Sequence, residues 1–293
     1  MATGRIIKAI GGFYSVDDGS KVWQCRARGV FRKKGITPLV GDWVEFEPVG
    51  TDEGVVTEVA PRQNSLVRPP IANVEQAVLV FSLREPDFST LLADKFLVHV
   101  EQAGLEALIV LTKADLVDDE EEIDAVRRLY ETPGYPVVAT STVTGRGLEE
   151  VAARLKDRVS VLAGQSGAGK SSLLNALVPE LKLPTGAISK KLGRGRHTTR
   201  HVELIRLPDG GFVADTPGFS QLDFGDIAST ELAACFPEIR RAAEGCRFRG
   251  CLHVREPDCA VRAAADTGAI PPSRYRHYLA FLTEIREREA RRY

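Results

Sequence analysis

Val159-Ser160-Val161-Leu162-Ala163-Gly164-Gln165-Ser166-Gly167-Ala168-Gly169-Lys170-Ser171-Ser172 is an apolar run that breaks into a glycine loop and ends on a lysine and two serines. The run Val159 to Ala163 predicts a buried strand, and Ser171 to Leu177 predicts a helix directly behind the loop. Strand, glycine loop and helix N-terminus in that order make a phosphate cradle, because glycines let successive amides curl inward and the helix adds partial positive charge. Lys170 is expected to bridge β- and γ-phosphate oxygens, and the Ser171 hydroxyl to bind Mg²⁺. The loop fixes a triphosphate but not the base it carries.

The base is read elsewhere. Thr112-Lys113-Ala114-Asp115 follows a second apolar run that ends at Leu111. At the tip of a parallel strand, one carboxylate accepts hydrogen bonds from both guanine N1-H and the exocyclic amine, a pattern adenine does not offer. Asp115 is the expected reader, and the Lys113 stem is expected to cover base or sugar. A further run, Pro136 to Ala139, ends in Thr140-Ser141-Thr142, which resembles the segment whose backbone touches guanine O6. In an ordinary GTPase the phosphate loop comes first and the base-reading Lys and Asp come last. Here the order is reversed, so the chain reads as a circularly permuted GTPase.

Asp215-Thr216-Pro217-Gly218 follows the run Gly211 to Ala214, a strand expected beside the phosphate-loop strand. Asp215 would hold Mg²⁺ through water, and the Gly218 amide would meet the γ-phosphate. Between the two motifs, Gly193-Arg194-Gly195-Arg196-His197-Thr198-Thr199 reads as a first switch in which Thr198 or Thr199 supplies a Mg²⁺ ligand. The residue after the second switch is Phe219, where many GTPases carry a water-orienting Gln. A benzyl group neither accepts a proton nor holds water, so a low intrinsic rate is expected, and His197 is the candidate group for positioning water.

Working outward, Ile6 to Tyr14, Lys21 to Arg26, Gly41 to Phe46 and Gly54 to Val59 are short alternating runs separated by turn residues. They fit a compact OB-like barrel over residues 1–68. Trp23, Phe31 and Trp43 lie near the basic residues Lys21, Arg26, Arg28, Arg32, Lys33 and Lys34, and either stack on RNA bases or fill the barrel core. A second basic stretch holds Lys190, Lys191, Arg194, Arg196 and Arg200. Residues 72–225 alternate buried strands with helices, the texture of an α/β domain. Residues 226–293 are read as helical, with helices expected over Thr230 to Ala243 and Ser273 to Arg292. The latter carries Tyr275, Tyr278, Leu279, Leu282 and Ile285 on one face.

Cys246, Cys251, His253 and Cys259 lie within one short segment, a donor set that fits a closed tetrahedral Zn²⁺ site with no vacant position for chemistry. Cys25 and Cys235 are isolated and are expected to be packing residues. The chain has 293 residues, 43% hydrophobic and 27% charged, and a formal net charge of -1, which opposes nucleic-acid coating by bulk charge but not by local clusters. No apolar run is long enough for a membrane helix and no leader pattern follows Met1, so a cytoplasmic protein is expected.

TKAD at 112–115, GQSGAGKSS at 164–172, GRGRHTT at 193–199, DTPGF at 215–219, the N-terminal barrel and the Cys/His knuckle together resemble the circularly permuted GTPases of the bacterial RsgA (YjeQ/YloQ) family. The resemblance covers nearly the whole chain. It implies a multidomain fold of OB-like barrel, permuted α/β P-loop GTPase domain and helical zinc-binding domain. It also implies a monomer that takes GTP with Mg²⁺ and one structural Zn²⁺, and that assists late maturation of the 30S ribosomal subunit with contacts to its rRNA and subunit-stimulated hydrolysis. Two other readings compete. A P-loop ATPase or small-molecule kinase is opposed by Asp115 and by the lack of a substrate-lid signature. An RNA-binding adaptor that uses GTP as a structural switch without significant turnover is opposed by Lys170 and Ser171.

Overall fold

The computed structural model describes residues 1–29, 31, 35–67, 69–183, 202–215, 222–225 and 227–291, with residue 215 by its backbone. By packing, the chain falls into two compact units, Met1–Val78 with Gly147–Ser220 and Leu79–Arg146 with Gln221–Tyr293.

The first unit opens with a closed barrel of β1 (Ala2–Ile10), β2 (Phe13–Asp17), β3 (Val22–Ala27), β4 (Trp43–Val49) and β5 (Glu53–Val59), in the order β1-β2-β3-β5-β4. Only the β3/β5 pair is parallel. This is the OB-like barrel that the alternation predicts. Period-2 alternation sends Ile6, Val16, Cys25, Val44, Phe46 and Val56 inward, all buried. The run Ile6 to Tyr14, expected as one strand, is two: Gly11 and Gly12 adopt φ of 58° and 86° and turn the chain between β1 and β2. Phe31 is buried, so it does not offer a face to a base. Cys25 is a core residue whose thiol burial pushes up to about 11.

The chain then forms a small ribbon of β6 (Ser65–Leu66) and β7 (Ile71–Ala72). Arg62 ties this linker to the barrel by two hydrogen bonds to the buried Asp42 carboxylate, at 2.7 and 2.8 Å.

The central sheet holds β8 (Gln76–Ser82), β9 (Glu106–Thr112), β10 (Val137–Ala139), β11 (Val159–Gly164), β12 (Leu204–Arg206) and β13 (Phe212–Asp215), in the order β10-β9-β8-β11-β13-β12. All seven residues of β8 are buried, its apolar stretch Ala77–Phe81 being of the kind that suits a strand covered on both faces. β9 and β10 pair in parallel, as do β11 and β13, where Leu162 faces Asp215. The helices here are α1 (Thr90–Gln102), α2 (Glu120–Glu131), α3 (Leu148–Leu155) and α4 (Lys170–Leu177). Ser89 caps α1, its hydroxyl accepting from Leu92 N at 3.3 Å. Asp119 caps α2, and Glu120, Glu121 and Glu122 complement the positive end of that helix.

The helical tail contains α5 (Pro237–Ala243), α6 (Ala260–Asp266) and α7 (Pro272–Arg291). The single helix expected over Thr230 to Ala243 is interrupted. A 3-10 turn covers Leu232–Cys235, Phe236 is extended, and Pro237 begins α5. Pro237 restricts the residue before it to extended backbone, which separates the two pieces. α7 matches its expected span and buries Tyr278, Leu282 and Ile285, along with Phe281 and Arg274, which the apolar stripe did not include. Cys235 is buried, with its thiol pushed up to about 11, first by burial and then by nearby Glu101 and Glu231.

Arg274 is fully buried. Its Nε and Nη2 donate to Glu238 of α5 at 2.6 and 3.1 Å, and its Nη1 donates to Asp94 of α1 at 2.7 Å. The second Asp94 oxygen lies 2.6 Å from His277 Nδ1. Phe236 stacks on the guanidinium face at 4.8 Å. Burial alone would lower the Arg274 pKa, but Asp94 and Glu238 outweigh it and hold the charge firmly in place. Arg274→Met leaves two buried carboxylates without their cation, and is expected to cost about 3–5 kcal/mol in urea unfolding. A loss under about 1 kcal/mol would show that the cluster does not brace the fold.

Candidate nucleotide site and zinc centre

At the phosphate end, β11 runs into Gly164, Gly167 and Gly169 with φ of 134°, 84° and 88°, conformations that L side chains rarely adopt. Gly169 is the N-cap of α4, so the amides that open this helix face out of the loop. The Ala168 amide donates to Gln165 O at 3.2 Å and closes a tight turn. Lys170 folds back over the loop, its ammonium donating to Gly164 O and Gln165 O, both at 2.9 Å. Ser171 and Ser172 stand half-buried in the first turn of α4. Glycine backbone, helix N-terminus and a lysine ammonium thus meet at one turn, an arrangement that favours a polyphosphate.

The base end is built from two neighbouring strand tips. Thr112 closes β9, buried, with its hydroxyl donating to Phe81 O at 3.1 Å. Lys113 turns the chain with φ 57°, and its ammonium donates to Glu85 O. Ala114 N donates to Thr140 O at 3.0 Å, and Thr140 N donates to Leu111 O at 2.7 Å. These bonds sew the Thr112–Asp115 and Thr140–Thr142 segments together. Asp115 is left exposed on a 3-10 turn. The Ser141 hydroxyl accepts from Val143 N and Thr144 N at 3.2 Å and shapes the second loop.

Several sequence-predicted residues lie outside the described residues: His197, Thr198, Thr199, the Asp215 side chain, Gly218 and Phe219, with the basic stretch Lys190 to Arg200. The same holds for Arg32, Lys33 and Lys34. Of the other barrel cations, Lys21 pairs with Asp52 at 3.3 Å and Arg28 with Glu47 at 2.6 Å. Trp43 is 48% exposed, whereas Trp23 is half-buried and its indole N–H donates to Asp18 at 2.6 Å. Phe13, which the sequence reading did not single out, is 46% exposed and carries the Arg26 guanidinium over its ring at 4.6 Å.

The Cys/His segment forms a site. One ligand atom from each of Cys246, Cys251, His253 and Cys259 lies within 4.8 Å of every other. Cys246 Sγ is 3.6 Å from His253 Nδ1 and 3.9 Å from Cys259 Sγ; Cys251 Sγ is 3.8 Å from Cys259 Sγ, which is 3.5 Å from His253 Nδ1. A tetrahedron with bonds of about 2.0–2.3 Å has edges of roughly 3.5–3.8 Å, so the residues fit zinc. Burial pushes the Cys251 thiol up to about 12 and favours neutral His253. A divalent cation reverses the first effect and uses the second.

Sequence reasoning missed what holds this knuckle. The Glu256 carboxylate accepts from the amides of Leu252 and Val254 at 2.8 Å and of Arg255 at 3.0 Å. Burial raises its pKa, but these amides outweigh it and hold the acid at about 2. From α7, the Tyr275 and Tyr278 hydroxyls donate to His253 O at 2.7 Å and Leu252 O at 2.9 Å. An acid between two ligands was the only signal in the sequence.

A glycine cradle on a strand-to-helix turn, a preceding TKAD turn, an OB-like barrel and a Cys₃His knuckle define a circularly permuted P-loop GTPase. The profile described as RsgA GTPase matches residues 59–225, and that described as RsgA N-terminal domain matches residues 3–56. The small ribosomal subunit biogenesis GTPase RsgA of Geobacillus kaustophilus is 58% identical over 99% of this chain and 100% of its own length. Its namesake in Bacillus subtilis is 51% identical with the same coverage. The crystal structure of YloQ, a circularly permuted GTPase, superposes with a TM-score of 0.85 at 48% identity, covering 98% of this chain and 96% of that one. YjeQ from Thermotoga maritima also gives 0.85, at 39% identity and 97% and 98% coverage. The chain belongs to the RsgA GTPase family and hydrolyses GTP.

Elemental analysis is expected to find one zinc per chain, and Cys259→Ser to abolish it with a stability loss above about 3 kcal/mol. Full retention of zinc in that variant would rule out the four-ligand site. Glu256→Gln is expected to keep the metal yet lower stability by about 1–2 kcal/mol, read from unfolding with zinc content measured alongside.

Proposed function

We propose that this chain binds the 30S ribosomal subunit late in its maturation and hydrolyses GTP faster when bound there. The full-length likeness to proteins named small ribosomal subunit biogenesis GTPases carries this reading. The exposed Phe13 with Arg26, and the exposed Trp43 with Arg5 at 4.7 Å, support rRNA contact through the barrel. No helix among the described residues is long and apolar enough to cross a membrane, and a monomer working in the cytoplasm fits this role.

In the reaction, water attacks the γ-phosphorus and GDP leaves with the bridging oxygen. The amides of residues 164–172 and Lys170 hold the β- and γ-phosphates and offset the charge that builds on them. Asp115 accepts from guanine N1–H and the exocyclic amine, Lys113 covers the ring plane, and the Thr112–Ala114 backbone holds both in place. The backbone of Thr140-Ser141-Thr142 meets O6. Ser171 and one of Thr198 and Thr199 would hold Mg²⁺, with Asp215 reaching it through water, and the ion would neutralise phosphate charge. With Phe219 after the second switch, His197 positions the water.

After that switch the chain reaches Phe224, which is buried, stacks on His99 at 5.6 Å and packs on Phe281 at 4.9 Å. This anchor supports a coupling in which γ-phosphate contacts at Gly218 bias the helical tail, so that GTP favours docking and hydrolysis favours release.

GTP hydrolysis by wild type with and without 30S subunits, with ATP as control and Lys170→Ala as blank, is expected to show GTP-specific stimulation by the subunit. Equal rates with and without 30S would refute the ribosome assignment. Asp115→Asn replaces a double acceptor by one acceptor and one donor. It is expected to weaken GTP about 10²–10³-fold, since each charged hydrogen bond contributes about 1.5–3 kcal/mol, and to gain xanthosine triphosphate, which presents a carbonyl at C2. Unchanged GTP affinity would remove Asp115 from base recognition.

A further inference from the structure

The β12–β13 hairpin lies in sequence between the two switch motifs: Thr199 precedes β12 by a few residues, and Asp215 ends β13. The barrel grips this hairpin at three points. Lys8 of β1 forms an isolated antiparallel bridge with Glu203, and their side chains pair at 2.8 Å. Asp17 of β2, nearly buried, accepts from Arg206 Nη1 at 3.2 Å, and Gly19 O accepts from the same nitrogen at 3.2 Å. The Arg5 guanidinium lies 4.7 Å from the Trp43 ring centre and 5.5 Å from that of Phe212.

Arg206 and Phe212 face each other across the hairpin, so two of the three grips act on one cross-strand pair. Phe212 in turn pairs with Val159, the first residue of the strand that leads into the phosphate loop. A displacement at Phe212 therefore moves β13 as a short stiff segment, with Asp215 at its far end.

The Lys8–Glu203 part of the grip is weak in energy. The Lys8–Glu203 pair is solvent-exposed, and exposed pairs contribute at most about 1 kcal/mol. Arg5 Nε and Nη1 are buried with no hydrogen-bond partner among the described residues, so the seated state carries a cost that unseating relieves. A polyanion on the barrel competes directly for the exposed Lys8. Two states this close in free energy are within reach of a ligand's binding energy.

We propose that Glu203, Arg206 and Phe212 are positioning residues for GTP hydrolysis, a seat through which an RNA-occupied barrel shifts the hairpin and both switch motifs. The nature of that occupant rests on the ribosome reading above. Glu203→Lys and Arg206→Glu, assayed at saturating 30S, are expected to lower the ratio of stimulated to basal kcat about ten-fold, with 30S affinity in sedimentation binding within about two-fold of wild type. The exchange Lys8→Glu with Glu203→Lys restores the ratio to within about two-fold. An unchanged ratio in the single variants, or a fall only in proportion to lost affinity, would overturn the seat. Lys8→Cys with Glu203→Cys tests it without the ribosome: closing the disulfide is expected to shift basal kcat more than three-fold, reversibly with reductant. A wild-type ratio of one refutes the ribosome assignment alone; equal basal rates in the oxidised and reduced protein then refute the seat.

Discussion

The Arg274 guanidinium holds Asp94, Glu238 and, through Asp94, His277 in one buried cluster. α1, α5 and α7 each contribute to it, so none of these helices can leave without exposing an uncompensated charge to low-dielectric surroundings. An apolar interface tolerates sliding, because its energy changes little over an ångström. A buried cation with fixed donor directions does not. The cluster therefore sets the register of α7 against α1, and α7 in turn carries the two tyrosine hydroxyls that hold the zinc knuckle. Lys95 of α1 adds an outer pair with Glu284 at 3.1 Å and lies over the Phe224 ring at 4.6 Å.

Circular permutation gives this brace its significance. The base-reading turn follows β9, and the helical tail follows the second switch. Both belong to the same compact unit by packing, although far apart in sequence. Phe224 enters the apolar cluster formed with Phe236, Tyr278, Phe281 and Ile285 a few residues after the second switch motif. The phosphate loop, β13 and the barrel belong to the other unit. The chain thus leaves the second switch toward one unit and enters it from the other.

The sequence made the local elements legible where periodicity is strong. The run that ends at Leu111 and the run that opens at Val159 are strands, and α4 stands directly behind the glycine loop, as expected. The glycine loop and the Cys₃His set were readable because phosphate and zinc demand specific residue types at short spacing. What stayed hidden depends on long-range pairing. Arg274, Asp94 and Glu238 are each ordinary surface residue types, and only the fold brings them together across 180 and 36 positions of sequence. Gly11-Gly12 and Pro237 interrupt stretches whose apolar pattern runs on without a break, so the pattern masks a turn that backbone geometry enforces.

The two units differ in how they are held, and this difference bears on the switches between them in sequence. On the tail side, the connection runs into a buried, multiply bonded cluster that changes state only at a cost of several kcal/mol. On the barrel side, it runs into the exposed Lys8–Glu203 pair, the half-exposed Arg206 on Asp17, and a guanidinium with two nitrogens that have no hydrogen-bond partner among the described residues. The Arg274 cluster is thus the stiff part of one unit, and the β12–β13 seat the more yielding part of the other.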